Sequence, residues 1–343
     1  MACQCFIIPK DVLDRFAKDL DLTESQRKAF ADAAQFENEW RKVRSLQTRL
    51  SAAARSMLVS GAQAITPPAV TVYNCNHSTT LPGAPVANPG TSSDITAKTA
   101  FVETKAVADF YQTLFARNSV DGAGKTLMSS IHFGVNYNNA FWNGNQMTYG
   151  DGDGKIFVDF TRADDVIGHE LTHGVTQFSS QLAYTNEAGG LNESISDVFG
   201  SMFRQWRAKQ TVDQADWLIG KEIMGPDAIA KGYNCLRDMA NPAAGHCLAP
   251  QPTHFSQYKN GMDPHYSSGI PNLAFYKAAK AIGGHSWDKA GKIWYKALTG
   301  YAPQPNMKMK TFANRTRTLA KSMFPGNPAV LAAVNSAWVA VGL

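Results

Sequence analysis

No stretch of this chain approaches the ~20 consecutive apolar residues that a membrane-spanning helix needs, so nothing in it reads as a transmembrane anchor. Basic tracts are missing too. The 33 Lys and Arg against 28 Asp and Glu leave a net charge of +5 dispersed along the chain, which argues against nucleic acid or a membrane surface as a partner. Cysteine is scarce. Cys3, Cys5, Cys75, Cys235 and Cys247 are too few to staple 343 residues together. Cys235 and Cys247 are spaced to close a short loop in an oxidising compartment, with reduced thiols as the alternative. The start, from Met1 to Pro9, has neither a basic n-region nor a long apolar h-region, so a standard signal peptide is not expected.

What is there is ordinary globular composition, with 44% hydrophobic and 18% charged residues, and enough length for two domains. Glycine and proline are absent from residues 10–60, which are rich in Lys, Arg, Asp, Glu, Ala and Leu. Thr23-Glu-Ser-Gln26 fits a capping box. Phe36, Trp40, Val43, Leu50, Ala54 and Met57 then recur at helical spacing. This predicts a short and a long amphipathic helix, whose apolar stripe needs another surface to cover it.

The segment from Thr66 to Gly134 is different in character. Val70 to Asn74 alternates as a strand does, and Thr99 to Arg117 has a helical period. Ile131 to Asn136 reads as a strand, and Lys155 to Phe160 as another, preceded by a tight turn at Asp151-Gly-Asp-Gly154. That turn fails as an EF-hand, because position 12 is Arg162 where a bidentate Glu is required. From Asn192 onward the chain is mainly helical, with 3.6-residue periods over Ile270–Ile282, Trp287–Leu298 and Asn327–Val341. A β-rich N-terminal domain followed by a helical C-terminal domain is therefore expected, an α+β fold with a cleft between the two.

At that seam lies Asp165-Val-Ile-Gly-His-Glu-Leu-Thr-His-Gly-Val-Thr176, which contains His169, Glu170 and His173 in the spacing H-E-x-x-H. On a helix, residues four apart share a face, so two imidazoles can reach one ion. Zn²⁺ held in this way needs a third protein ligand and keeps one position for water. Glu193, in Asn192-Glu-Ser-Ile-Ser-Asp197, is the nominated third ligand. Asp197, one turn further on, is placed to accept the free N–H of a ligating His. Glu170 points off the ligand face and is placed as general base and then acid.

These residues identify a resemblance to the thermolysin-like zinc metallopeptidases, running from about Val72 to the C-terminus. The short leading segment, with Phe6-Ile-Ile-Pro9, most resembles the protealysin subgroup. The resemblance implies a two-domain thermolysin-like fold preceded by a helical propeptide: residues 1–50 the propeptide, 51–182 the β-rich domain with the H-E-x-x-H helix, and 183–343 the helical domain. It also implies a zinc endopeptidase made as a zymogen, inhibited by its own propeptide and releasing it by self-processing. A thiolate from Cys3 or Cys5 is a candidate for the open zinc position in that zymogen, with inert thiols the alternative.

Residue by residue, the resemblance implies that Asn139 and the Ala140 carbonyl hold the substrate backbone as an added strand, with Trp142 beside the cleft. Tyr184 and His265 would stabilise the oxyanion, and Asp263 would orient His265. Arg237 would bind the substrate backbone just after the scissile bond. Phe157, Phe160, Val166, Ile219, Ile223 and Leu236 would form the primary specificity pocket. An apolar pocket implies cleavage on the amino side of bulky hydrophobic residues, with broad specificity.

Where the family places the acids of a paired calcium site, this chain has Arg204, Leu218 and Lys221, keeping only Asp165 and Asp216. That double Ca²⁺ site is expected to be absent. The expected partners are protein and peptide substrates, with no nucleic acid and no membrane, and the expected state is a monomer. Secretion by a leaderless route is expected, with an intracellular role the alternative. A binding protein that kept the metal without turnover and an aminopeptidase are the competing readings. Every catalytic position is filled, and no motif anchors a free amine.

Overall fold

The computed structural model describes residues 5–50 and 67–343. Cys3, and the Ala54 and Met57 end of the expected apolar stripe, lie outside them, and on that stripe the described side chains stop short of Trp40. The leading segment forms strand β1 (Cys5–Phe6) and helices α1 (Lys10–Phe16) and α2 (Glu24–Leu50). Next come β2 (Val70–Asn74), β3 (Ala84–Pro85), α3 (Ile95–Phe115), β4 (Leu127–Ile131), β5 (Ala140–Trp142), β6 (Met147–Tyr149) and α4 (Asp164–Gln177). The remainder is α5 (Asn186–Arg207), β7 (Leu218–Ile219), α6 (Pro226–Ala230), β8 (Arg237–Asp238), α7 (Pro264–Ser267), α8 (Gly269–Ile282), α9 (Ala290–Thr299), α10 (Met309–Met323) and α11 (Pro328–Ala340).

One mixed sheet runs in the order β1-β5-β6-β4-β2-β3. β4 is parallel to both β2 and β6, while β5 is antiparallel to β6 and to β1. Without β1, strand β5 would be the sheet edge. The leading segment therefore completes the sheet by strand addition, pairing Cys5 with Trp142 and Phe6 with Phe141. The rest of that segment is sealed by aromatic contact. Phe16 meets Phe30 at 5.1 Å, Phe30 meets Phe157 at 6.2 Å, and Phe36 sits 5.1 Å from Phe133 and 5.7 Å from Phe141.

Two expected strands are corrected. The strand expected at Ile131–Asn136 instead ends at Ile131, because His132, Gly134 and Asn136 have φ of +51°, +65° and +51° and left-handed residues cannot continue a ladder. The strand expected at Lys155–Phe160 is replaced by a turn. The Asp153 carboxylate collects the N–H groups of Lys155, Ile156 and Phe157 at 3.1, 2.9 and 3.0 Å. That leaves a single bridge between Phe157 and Met224. The helix that carries Glu193 begins at Asn186. Gly189 and Gly190 lie inside it because a Cβ would stand 2.7 Å from Pro264 and 2.4 Å from Ser267. The helix gives up propensity there to pack closely against α7.

Helices α4 and α5 form the centre of the molecule. Their backbones cross at Gly168 and Gly200. A Cβ on Gly200 would lie 2.4 Å from the Asp165 carbonyl oxygen, and one on Gly168 would lie 3.0 Å from the Gly200 Cα. This close approach brings side chains of α4 within hydrogen-bond reach of α5. Tyr111 of α3 donates to or accepts from Thr172 at 2.6 Å and ties the third helix to the pair. On the far side α8, α9, α10 and α11 bury Trp294 and Trp338, stacked at 5.9 Å.

Candidate active site

All of the α4 motif is buried: His169, Glu170 and His173 have no exposed surface. His169 Nδ1 lies 2.9 Å from Asp197. Burial works against the charge of Asp197, but Arg237 and His169 outweigh it and hold the carboxyl well below its usual range. An ionised carboxylate only accepts, so Nδ1 carries the proton and Nε2 is bare. His173 Nδ1 lies 2.9 Å from Asn192 Oδ1 and 3.0 Å from Ser196 Oγ. Donation to Asn192 leaves its Nε2 bare as well. Burial, reinforced by His169, holds His173 well below its ordinary range and therefore neutral.

The two Nε2 atoms are 3.0 Å apart, and Glu193 lies 3.5 Å from His169 Nε2 and 3.4 Å from His173 Nε2. Two lone pairs and a carboxylate converging in a dry site repel one another unless a cation sits between them. A tetrahedral zinc with bonds of ~2.0–2.1 Å sets its ligands about 3.3 Å apart, so this donor set fits the ion. Glu193 Oε2 is buried with no hydrogen-bond partner. Glu170, on the same helix as the two histidines, is wholly buried, and among the described residues no side chain hydrogen-bonds to its carboxylate. Burial, then the charge of Glu193, push Glu170 well above the usual carboxylate range; the Trp142 N–H and Arg237 pull the other way and lose.

A second group of donors faces the cleft. Tyr184 donates to Glu193 Oε1 at 2.5 Å, and its oxygen is 3.2 Å from His265 Nε2. His265 Nδ1 lies 2.6 Å from Asp263. Burial opposes charge on His265, yet Glu193 and Asp263 outweigh it and lift His265 to about 9. Both of its ring nitrogens then donate, which suits it to a developing negative charge. Arg237, on β8 and buried, grips Asp197 through Nε at 2.8 Å and an Nη at 2.7 Å.

The leading segment lies across these groups. The N–H of Ile7 donates to the Ala140 carbonyl at 3.0 Å. The Ile8 N–H donates to Asn139 Oδ1 at 3.0 Å, and the Asn139 amide returns a bond to the Ile8 carbonyl at 3.2 Å. Arg237 donates to the Ile7 carbonyl at 3.0 Å, and His265 Nε2 contacts the Phe6 carbonyl. Three of the positions nominated for substrate backbone, Asn139, Ala140 and Arg237, thus hold a peptide backbone here, and it is the chain's own.

Of the sequence-nominated residues, His169, His173, Glu193, Glu170, Asp197, Tyr184, His265, Asp263 and Arg237 converge on one site. Trp142 is buried on β5 opposite Cys5, with its indole N–H donating to Gln177 at 2.9 Å. Phe157, Phe160, Val166, Ile219, Ile223 and Leu236 are buried in the same core cluster as Ile7, Phe16 and Phe30. Sequence reasoning missed Asn192 and Ser196, which orient His173. The signal was present: both lie on the Glu193–Asp197 face of α5, at helical spacing. Cys235 and Cys247 are free thiols with sulfurs 3.9 Å apart, not a disulfide.

A β-sheet domain and a helical domain meeting at an H-E-x-x-H helix, with a Glu from the next helix, define a metallopeptidase. Residues 37–177 match the thermolysin metallopeptidase catalytic domain, and residues 180–343 match the thermolysin metallopeptidase alpha-helical domain. An extracellular metalloprotease of Pectobacterium carotovorum subsp. carotovorum is 43% identical over 283 residues, covering 79% of this chain and 80% of that protein. Protease PrtS of a Photorhabdus species is 38% identical over 283 residues, covering 79% of this chain and 76% of that protein. The solved precursor of protealysin, a metalloproteinase from Serratia proteamaculans, superposes with a TM-score of 0.81 at 38% identity, over 98% of this chain and 99% of that one. The chain belongs to the thermolysin metallopeptidase family and is a metalloprotease, similar to the solved precursor of protealysin.

Proposed function

We propose that the protein is a zinc endopeptidase made as a zymogen, which cleaves peptide bonds on the amino side of bulky hydrophobic residues. One observation carries this reading: the Nε2 atoms of His169 and His173, 3.0 Å apart, both face Glu193, with the buried Glu170 next to His169 on the same helix. Zinc held by His169, His173 and Glu193 would supply Lewis acidity toward a carbonyl and a lowered pKa for water at its open position. Asp197 and Asn192 fix the tautomers of the two histidines. Glu170, dry and proton-seeking, takes a proton from the attacking water and delivers it to the leaving amine. Tyr184 and His265 donate to the carbonyl oxygen as it gains charge, and Asp263 keeps His265 oriented. Asn139, Ala140 and Arg237 fix the substrate backbone. Trp142 backs the edge strand beside the cleft. The cluster of Phe157, Phe160, Val166, Ile219, Ile223 and Leu236 receives the apolar side chain after the scissile bond.

Residues 1–50 act as an intramolecular inhibitor, 51–182 as the β-rich domain and 183–343 as the helical domain. The segment that fills the cleft supports the zymogen reading, and the enzyme removes that segment by self-processing. We propose that the family's double calcium site is not formed in this chain. Its place holds the Arg204 guanidinium, 3.5 Å from Asp165 and 3.8 Å from Asp216 and bonded to Glu222. Among the described residues no helix is long and apolar enough to cross a membrane. We place the enzyme outside the cell, working as a monomer. A peptide blocked at both ends and carrying a Gly-Leu bond tests the reading. The wild type should cut it before Leu while its own N-terminal segment is lost, and Glu170→Ala should do neither. A wild type that stays inactive after its N-terminal segment is trimmed by added protease would favour a metal-binding protein without turnover.

A further inference from the structure

The strand β1 raises a chemical problem. It lies in the cleft with the Phe6 carbonyl on His265, the Ile7 carbonyl on Arg237 and the Ile8 N–H on Asn139. These are the contacts the proposed mechanism assigns to a peptide about to be cut, with the Phe6–Ile7 bond at the reacting position. An inhibitor bound in this way survives only if water is kept from the metal.

The residue next to Phe6 is Cys5, fully buried. Its sulfur, a nitrogen of His173 and a carboxylate oxygen of Glu193 lie within 4.8 Å of one another. Tetrahedral zinc, with bonds of ~2.3 Å to sulfur and ~2.0 Å to nitrogen, sets such ligands about 3.5 Å apart, so relative to His173 and Glu193 the sulfur is within about 1 Å of a ligand's spacing. The antiparallel register with Trp142 fixes Cys5 at this depth in the cleft.

We propose that the reduced thiolate of Cys5 is the fourth zinc ligand of the latent precursor, taking the position that water needs. The proposal rests on the zinc-site reading above. In this structure the Cys5 sulfur is engaged in a disulfide, and a disulfide sulfur is not a thiolate. The coordinating form is therefore the reduced one. Reduction by an external dithiol transfers two electrons and two protons to the disulfide, giving two thiols, and leaves the dithiol as its own disulfide. The Cys5 thiol would then lose its proton to solvent and offer its thiolate to the ion held by His169, His173 and Glu193. An external disulfide reverses this: it takes up the two electrons and two protons and becomes the dithiol, the protein disulfide re-forms, and the sulfur would leave the metal position open to water, so latency depends on redox state.

The test uses the full-length precursor in a Glu170→Ala background, which prevents self-processing, with Co²⁺ loaded in place of zinc. Reduced precursor should bind one equivalent of cobalt and show a thiolate-to-cobalt charge-transfer band in the near ultraviolet. The band should vanish in Cys5→Ser, and in the parent after oxidation with a disulfide reagent, while cobalt stays bound in both. Cobalt bound at one equivalent and lost in His169→Ala, but with no band or with a band that survives Cys5→Ser, overturns the Cys5 assignment and leaves the metal site standing. A precursor that binds no cobalt overturns the site reading, and the Cys5 proposal with it.

Discussion

His169 Nδ1 and Arg237 converge on one carboxylate: Asp197 Oδ1 lies 2.9 Å from the first and 2.7 Å from an Nη of the second. One buried acid therefore orients a metal-facing imidazole and anchors the guanidinium that holds a peptide carbonyl. Asp197→Asn should lower zinc affinity by roughly 10–100-fold, because His169 then donates to a neutral amide oxygen, if to any, and loses the carboxylate that raises its basicity as a ligand. It should also leave Arg237 buried without its ion pair, costing roughly 3 kcal/mol of stability. Competition titration with a chromogenic chelator and thermal unfolding read the two effects separately. Unchanged affinity would remove Asp197 from the site.

The crossing of α4 and α5 makes a steric prediction. Gly200→Ala places a methyl 2.4 Å from the Asp165 carbonyl oxygen, so the helices must part. A loss of roughly 1–3 kcal/mol is expected from overpacking. Gly326→Ala, where nothing lies within 4 Å, is the matched control and should be neutral. Equal melting temperatures for the two variants would contradict the account of the crossing.

Stability should fall on the alkaline side because of His132. Its Nδ1 is 2.8 Å from Asp151 and its Nε2 3.0 Å from Asp94. The Asp151 hydrogen bond leads the causes, and against the cost of burial these carboxylates raise it from 6.5 to about 9. A raised histidine stabilises the fold fully below the unfolded value and loses that contribution as pH climbs through the folded one. The window is therefore pH 6.5 to about 9. With the imidazole 20% exposed, about 1–2 kcal/mol is expected after allowance for solvent screening. Denaturant titration should show that decline in the wild type and a flatter profile in His132→Gln. Parallel profiles would show that the pair carries no such energy.

Calcium should matter little near α5. Arg204 bridges Asp165, Asp216 and Glu222, and Lys221 sits 3.2 Å from Asp216, so two cations already neutralise the acids that remain. A calcium-selective chelator should leave the melting temperature where it was. A large fall would mean that Ca²⁺ displaces Arg204.

Much of the site was legible because helical spacing transmits directly into space. His169 and His173 on one turn of α4, and Glu193 and Asp197 on one turn of α5, needed only the rule that residues three and four apart share a face. Asn192 was not assigned because its partner, His173 Nδ1, depends on how α5 crosses α4, and that follows from the contact of Gly200 with the Asp165 carbonyl. The strand expected through Asn136 failed for a local reason: His132 and Asn136 adopt left-handed backbone, which apolar alternation does not reveal. The turn after Gly154 was misread because Asp153 captures three amides that a ladder would have used. The short strand Cys5–Phe6 carries no periodicity at all. Its pairing with β5 exists only because the folded enzyme presents an open edge and matching backbone donors.

The most direct test of the central claim is a zinc titration of the processed, metal-free enzyme, followed by hydrolysis of the doubly blocked Gly-Leu peptide. The account predicts no activity without metal, a linear rise that saturates at one zinc per chain, and none at any zinc level for Glu170→Ala despite equal binding. Full activity in the metal-free enzyme, or an active Glu170→Ala, would contradict it.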